Sequence, residues 1–203
     1  MRTIPREPSL GLELGRRRDY TRAPWNELEA YLVGASHDGT WNTTHRTFRF
    51  TQRERAWLVQ LQQMLKLLKY RSWIYQEGRH RSVWALETTF CPSTHTWHLT
   101  KRLPGEWMAY IRGFFDAEGG IPRQATARFY IQFVQKNQPK LIAITQALGA
   151  MGIATGTIHN PSQRIDPSYW RFFVATRSHE LFAQTIGSWH PRKSKIFETR
   201  MKI

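Results

Sequence analysis

The stretch AYIRGFFDAEG, residues 109–119, decides the fold that we expect for this chain. It predicts a helix on which the small residues Gly113 and Ala117 lie four positions apart, on one face. Small side chains at this spacing let the backbones of two helices approach closely. The helix should end at Ala117 and be followed by a turn that begins with the carboxylate Glu118, because the Gly119-Gly120 pair can adopt the positive φ common at helix ends.

Glu118 lies at an unfavourable position for helix stability. A carboxylate at the C-terminal end of a helix opposes the helix dipole, so we expect a functional reason for it, such as binding a divalent cation. A second acid–glycine ending occurs in LVGASHDG, residues 32–39, where Asp38 takes the place of Glu118. There Gly34 precedes the acid by four residues, whereas Gly113 precedes Glu118 by five. Two surface acids in turns are the alternative interpretation.

The chain repeats one order of elements, α-β-α-β-β, around these two stretches. The first copy predicts a helix, a turn, a strand, a helix and two strands at residues 27–37, 38–39, 48–50, 56–69, 71–76 and 83–88. The second copy predicts the same order at residues 106–117, 118–120, 125–134, 139–150, 155–159 and 169–176, followed by a helix from Ser178 and a basic tail. We therefore divide the chain into a basic N-terminal arm (1–24), a first half (25–90), a linker (91–105) and a second half (106–203).

Alternating polarity marks one face of each predicted sheet as a binding surface. Residues 124–133 alternate between apolar and polar side chains, a period of two that is typical of a half-buried strand. The outward set of the two copies is Thr43, His45, Thr47, Arg49 and Thr51, and Gln124, Thr126, Arg128, Tyr130 and Gln132. Simple exposure to solvent would explain this face, but a face without carboxylates suits DNA bases and phosphates better.

The composition favours a polyanionic partner. The 203 residues carry 30 Lys+Arg and 15 Asp+Glu, a net charge of +15, although a solvated positive face is the simpler explanation. The single cysteine excludes an internal disulfide and a thiolate zinc site. No apolar run approaches the about 18 residues of a membrane span, and the N-terminus has no secretion signal. We expect no membrane partner, and a location in the cytoplasm of a bacterium or phage host, or in an organelle.

The segment Gly113–Gly119 closely resembles the motif of the LAGLIDADG homing endonuclease family, and residues 133–137 and 189–193 resemble later segments of its members. The resemblance covers residues 106–200, and residues 32–39 match the motif more weakly. It implies an α/β (α+β) fold in which two pseudo-symmetric halves form a DNA-binding saddle of antiparallel sheets with the motif helices at the centre. Two motifs in one chain imply a monomer.

The same resemblance implies a metal-dependent, staggered double-strand cut in a long DNA target at an intron-insertion site. Asp38 and Glu118 match the metal-binding acids and Asp116 the structural acid. Their oxygen ligands favour Mg²⁺ over zinc. Gln52 and Gln135 would order attacking water, and Lys136 and Lys193 would neutralise phosphate charge.

Strand parity places both glutamines inward, so we expect a local twist to bring them to the site. The alternative function is a catalytically decayed protein that acts as an intron RNA maturase or a DNA-binding protein.

Overall fold

In the computed structural model, which describes residues 19–78, 82–92, 98, 101–124 and 126–201, helices alternate with antiparallel strands in two similar series. The first series comprises α1 (Trp25–Ala35), β1 (Gly39–Asn42), β2 (Thr47–Gln52), α2 (Arg55–Leu67), β3 (Ser72–Gln76) and β4 (Trp84–Thr88). The second comprises α3 (Pro104–Glu118), β5 (Gly119–Gly120), β6 (Gln132–Gln135), α4 (Gln138–Ala150), β7 (Trp170–Phe173), α5 (His179–Thr185) and α6 (Pro191–Met201). Most of the predicted N-terminal arm and part of the predicted linker lie outside the described residues.

Each series forms its own antiparallel sheet. The first has the strand order β1-β2-β4-β3 and the second β5-β6-β7, so β2 and β6 occupy equivalent central positions. On the inner side of each sheet lie phenylalanines, Phe48 and Phe50 in β2 and Phe133 and Phe172 in the second sheet, all buried. The predicted fold class, a mixed α/β structure with antiparallel sheets and helices, is confirmed.

Helices α1 and α3 cross at the centre of the molecule with almost no space between their backbones. A Cβ atom on Gly34 would lie 2.1 Å from the carbonyl oxygen of Tyr110, and one on Gly113 would lie 2.0 Å from that of Tyr31. These distances are too short for any side chain larger than hydrogen. The predicted close approach of two helices is confirmed at Gly113, and Gly34 is the corresponding position on α1.

The missing residue in the first motif is compensated by a change of helix type. Helix α1 ends at Ala35, and residues Ser36–Asp38 continue as a 3-10 turn. A 3-10 helix rises about 2.0 Å per residue against about 1.5 Å in an α-helix, so Gly34 to Asp38 advances about 7.5 Å. The five α-helical steps from Gly113 to Glu118 advance the same distance. Asp38 and Glu118 therefore lie equally far from the helix crossing.

Some predicted elements differ from the structure. The strand predicted over residues 125–134 begins only at Gln132, although exposure still alternates from Thr126 to Phe133. The strand predicted at 155–159 is reduced to single bridges, Thr155 to Val174 and His159 to Arg171. Period-two polarity reports which face of an extended chain is buried, but it does not reveal whether the chain has a hydrogen-bonded neighbour.

The turns after both acids also differ from the prediction. Gly39 begins β1, and Gly119 has an extended conformation (φ −80°, ψ 147°) instead of a positive φ. Gly119 is required for space, since a Cβ there would lie 2.5 Å from the carbonyl oxygen of Phe115. The positive φ expected after Glu118 was wrong.

The predicted basic tail is helix α6. The helix buries Lys193 and Phe197 four positions apart, and the Phe197 ring packs 5.9 Å from that of Phe115. The Lys193 ammonium lies 4.7 Å from the centre of the Phe115 ring. The tail was misjudged because a lysine on the buried face hides the apolar stripe that identifies an amphipathic helix.

We expect opposite effects on stability for two glycine-to-alanine substitutions, one at the helix crossing and one in open space. Gly34→Ala should lower the free energy of unfolding by about 1–3 kcal/mol, because the new methyl group would force the two backbones apart. Gly149 lies in α4 with no atom within 4 Å of the position that a Cβ would occupy, so Gly149→Ala should raise the free energy of unfolding by about 0.5–1 kcal/mol. Urea denaturation of the two variants checks both signs, and equal stabilities would contradict the crossing.

Candidate metal centre and nucleic-acid interface

Two acid–glutamine pairs lie at the ends of the crossing helices. Asp38 ends the 3-10 turn, and its Oδ2 accepts a hydrogen bond of 3.0 Å from Nε2 of Gln52, the last residue of β2. Glu118 ends α3, and its Oε1 accepts one of 3.2 Å from Nε2 of Gln135, the last residue of β6. The two pairs are equivalent by position in the repeat. Both glutamines share the inward parity of the buried phenylalanines, so the expected local twist is not needed: the inward side is where the acids lie.

The two acids are close enough to affect each other's ionisation. Burial, followed by the negative charge of Asp38, raises the pKa of Glu118 to about 7. Asp38 is more open to solvent, yet partial desolvation at the helix ends still raises its pKa. Two ionised carboxylates in this position repel each other, and a divalent cation between them would remove that repulsion.

The donor set of this centre fits a hard divalent cation. Carboxylate and amide oxygens are the ligands that Mg²⁺ accepts in proteins. Within the part of the chain that the structure describes, no group of three or more His, Cys, Asp or Glu could hold a metal ion. Such a carboxylate pair suits an ion that takes its remaining ligands from water and phosphate, as Mg²⁺ usually does.

Asp116 is fully enclosed behind this centre. Its Oδ2 accepts hydrogen bonds from the Tyr31 hydroxyl (2.6 Å) and from the backbone N–H groups of Trp189 (2.9 Å) and His190 (3.0 Å). The Ser188 hydroxyl donates to its Oδ1. Its oxygens are thus used in holding the segment before α6 against both central helices, which agrees with the structural role that the motif implies.

The two candidate lysines have very different surroundings. Lys193 is 3% exposed, and its ammonium donates to the carbonyl oxygens of Phe115 (2.5 Å), Asp116 (3.0 Å) and Gly119 (2.6 Å). Burial lowers its pKa to about 8, against the opposing effect of the nearby acids, Asp116 first. Lys136 is exposed to solvent and follows Gln135 directly. Lys136 is thus the lysine that faces solvent next to the acid–glutamine pair.

The outer face of the first sheet carries two carboxylates, contrary to the expectation of a face without acids. Glu87 lies opposite Arg49 in the sheet and is buried, where its carboxylate accepts a hydrogen bond of 2.8 Å from the Tyr75 hydroxyl. Glu77 pairs with Arg49 at 2.6 Å. Thr47 is buried beside Glu87. The expectation was wrong because parity was followed along β2 alone, whereas Glu77 follows β3 and Glu87 belongs to β4.

The other residues predicted to face DNA have mixed exposure. Thr43, His45, Gln124, Thr126, Arg128 and Tyr130 are exposed, and Thr51 and Gln132 are partly buried. Sequence reasoning missed Arg171 in β7, which lies over the Phe173 ring at 5.3 Å and donates to Nε2 of His159 at 3.2 Å. Both residues lie in or beside β7, for which no outward set was assigned.

Known proteins resemble this chain in the sequence of its second half and in its overall fold. Residues 106–187 match the sequence model of the LAGLIDADG-like domain. The structure of I-DmoI in complex with DNA and Ca superposes with a TM-score of 0.65 at 18% identity, covering 88% of this chain and all of that one (100%). This chain has the LAGLIDADG fold. The complex of I-DmoI with DNA and Mn gives a TM-score of 0.58 at 19% identity over 81% of this chain and 98% of that one.

A second solved protein, DUF199/WhiA, has a similar fold. Full-length DUF199/WhiA from Thermatoga maritima superposes with a TM-score of 0.64 at 15% identity, covering 91% of this chain and 64% of that one.

No curated protein matches this chain by sequence. Among the described residues, no helix is long and apolar enough to cross a membrane.

The raised pKa of Glu118 predicts how stability depends on pH without divalent metal. The folded chain keeps the Glu118 proton up to about pH 7, whereas the unfolded chain loses it near the ordinary value of 4.5. Between these values the folded state binds more protons, so this group makes the free energy of unfolding fall as the pH rises. Glu118→Gln should therefore stabilise the chain by about 1–2 kcal/mol more at pH 8 than at pH 4.5.

Chemical denaturation in EDTA at the two pH values measures this difference. The matched control is Glu29→Gln, which removes a solvent-exposed carboxylate of α1 and should show a smaller difference between the two pH values than Glu118→Gln. If Glu118→Gln changed stability by the same amount at both pH values, burial and Asp38 would not raise the pKa of Glu118.

Proposed function

We propose that this chain is a site-specific DNA endonuclease that makes a metal-dependent, staggered double-strand cut in a long target. The observation that carries the proposal is the pair of equivalent acid–glutamine contacts, Asp38 with Gln52 and Glu118 with Gln135, at the ends of two helices in backbone contact. Cleavage of both strands of a duplex requires hydrolysis of two phosphodiester bonds, one in each of two strands that run in opposite directions. A site with two equivalent acids related by pseudo-twofold symmetry fits that requirement.

The residues of the centre would divide the work as follows. Asp38 and Glu118 would hold Mg²⁺, which supplies charge neutralisation at the phosphate and a lower pKa for attacking water. The Gln52 and Gln135 amides would orient water at each acid, since an amide both donates and accepts hydrogen bonds. Lys136, exposed beside Gln135, would neutralise phosphate charge in the second half.

The duplex would lie across the outer faces of the two sheets. A net charge of +15 supplies the attraction to phosphates, and the exposed side chains Thr43, His45, Gln124, Thr126, Arg128 and Tyr130 supply polar contacts. Both copies of the motif are present in one chain, so a monomer would carry a complete site. I-DmoI, which shares the fold, is described in complex with DNA.

A second candidate function is binding of DNA or intron RNA without cleavage. It is favoured by the departures of the first motif, which has Ser36 where the second motif has Asp116, and by the self-neutralised Arg49–Glu77 pair on the first sheet. The retained acid at both helix ends favours cleavage instead. Metal-dependent cutting discriminates between the two functions.

The experiment is selection from a randomised duplex library with Mg²⁺ or with EDTA, followed by sequencing of the cut ends and of the bound molecules. The proposal predicts staggered ends at one long motif that appear only with Mg²⁺. Enrichment of bound duplex without any cut ends would contradict the endonuclease and favour the binding function. RNA would then be tested as the ligand.

Removal of one acid should separate cutting from binding. Glu118→Gln should reduce double-strand cleavage of the selected duplex by at least about 100-fold, because the neutral amide lacks the negative charge with which a carboxylate holds the metal ion. Its affinity for the duplex in Ca²⁺ should stay within about threefold of the wild type, as should both properties of Glu29→Gln. Gel-resolved cleavage and fluorescence anisotropy measure the two quantities. Undiminished cutting by Glu118→Gln would remove the acid from the mechanism.

The ion pair on the first sheet predicts unequal contributions of two arginines to salt dependence. Each phosphate that a cation neutralises adds about 0.9 to the slope of log affinity against log salt concentration. Arg128→Gln, which removes an exposed cation, should reduce that slope by close to this amount. Arg49→Gln should reduce it less, since Glu77 already neutralises Arg49. Titrations at several salt concentrations check the order, and a larger loss for Arg49→Gln would contradict it.

A further inference from the structure

The segment Ser188–Lys193, which we call the clasp, connects α5 to the first turn of α6 and touches both halves of the chain. Its sequence is SWHPRK. Most of its side chains or backbone groups contact one of the central helices or α2, and Trp189, His190 and Lys193 are buried.

At one end of the clasp, Lys193 holds the C-terminus of α3. The last carbonyl groups of a helix have no partner within the helix, and a cation there also opposes the helix dipole. Lys193 donates to the carbonyls of Phe115, Asp116 and Gly119, which flank Glu118 on both sides. An ammonium group has three donors, so these three contacts use its hydrogen-bonding capacity and leave no N–H for a phosphate.

In the middle of the clasp, Asp116 fastens the backbone. Its carboxylate accepts hydrogen bonds from the N–H groups of Trp189 and His190 and from the Ser188 hydroxyl. It also accepts one from the hydroxyl of Tyr31 in α1. The Tyr31 and Trp189 rings lie 4.6 Å apart. One buried carboxylate thus joins the clasp to α3, in which it lies, and to α1, whose chain leads to Asp38.

The clasp also contacts the start of α2 in the first half. The His190 ring stacks on Trp57 with 5.2 Å between ring centres, and Nε of Arg192 donates to Oε1 of Glu54 at 2.9 Å. The clasp therefore links the end of α3 to an element that the first half alone supplies.

We propose that the clasp sets the position of Glu118 relative to Asp38, and that Lys193 is a positioning residue instead of a group that contacts the scissile phosphate. The consequence for metal binding rests on the proposed function, whereas the mechanical role does not. Groups that orient a metal ligand without touching the metal typically contribute about 10–100-fold to metal affinity.

The test compares Lys193→Met with Lys195→Met in the full chain. Lys195 lies on the same helix, is exposed, and carries the same charge, so it controls for the loss of one cation. The first readout is hydrogen exchange at residues 112–120, which requires neither metal nor DNA. The second is the affinity for Mn²⁺, measured by EPR on the complex with the selected duplex, and the third is the dependence of the cleavage rate on Mg²⁺ concentration.

A positioning role predicts faster exchange at the end of α3 and at least about tenfold weaker Mn²⁺ binding for Lys193→Met. It also predicts a matching rise in the half-saturating Mg²⁺ concentration, with most of the maximal rate recovered at high Mg²⁺. Lys195→Met should leave all three unchanged. Unchanged exchange and Mn²⁺ affinity with a lower maximal rate would overturn the proposal, because that pattern is expected of a direct phosphate contact.

Two further outcomes are separated by design. If Lys193→Met does not fold, Lys193→Arg keeps the charge but places a planar guanidinium where three carbonyls converge. A positioning role then predicts weaker Mn²⁺ binding by Lys193→Arg, and wild-type affinity would overturn it. If the wild type neither binds nor cuts any duplex, the proposed endonuclease fails, while exchange at residues 112–120 still decides whether Lys193 fixes the end of α3.

Discussion

The backbone contact between α1 and α3 at Gly34 and Gly113 is the constraint on which the rest of the structure depends. Because neither position tolerates a Cβ atom, the helices lie closer than side-chain packing normally allows. Both helix ends are thereby brought to one place, and Asp38 and Glu118 with them. The 3-10 turn Ser36–Asp38 keeps the two acids level although the first motif is one residue shorter. Without the crossing, each acid would be an ordinary surface carboxylate.

The two halves are equivalent at the centre and different around it. Each half supplies an acid and a strand-end glutamine, and among the described residues the clasp and α6 belong to the second half. Their outer sheet faces also differ, with carboxylates at Glu77 and Glu87 in the first sheet and an Arg171–His159–Phe173 cluster in the second. If the chain cleaves DNA as proposed, these unequal faces on either side of an equivalent centre suit a long target whose two halves differ in sequence.

The sequence predicted the features that depend on residue types with few alternatives. The small residues Gly113 and Ala117 predicted the close approach of two helices, and the resemblance to the family motif pointed to Asp38, Glu118 and the strand-end glutamines. Parity was informative even where no strand formed, as the alternating exposure of residues 126–133 shows.

Features that depend on contacts between distant segments could not be predicted. Glu87 reaches the outer face because β4 pairs with β2, a register that no local pattern contains. Lys193 is buried because its ammonium group donates hydrogen bonds to three carbonyl oxygens around the end of α3, and a basic sequence gives no sign of these contacts. The positive φ expected at Gly119 failed for the same reason, since the space required there is set by the Phe115 carbonyl and ring.

The most direct test of the account is the anomalous scattering of Mn²⁺ in crystals of the full chain bound to its selected duplex. The account predicts a manganese peak within about 2.0–2.6 Å of carboxylate oxygens from both Asp38 and Glu118. Manganese bound only at other residues, or no peak at these acids at saturating Mn²⁺, would contradict the claim that the helix crossing builds a shared metal centre.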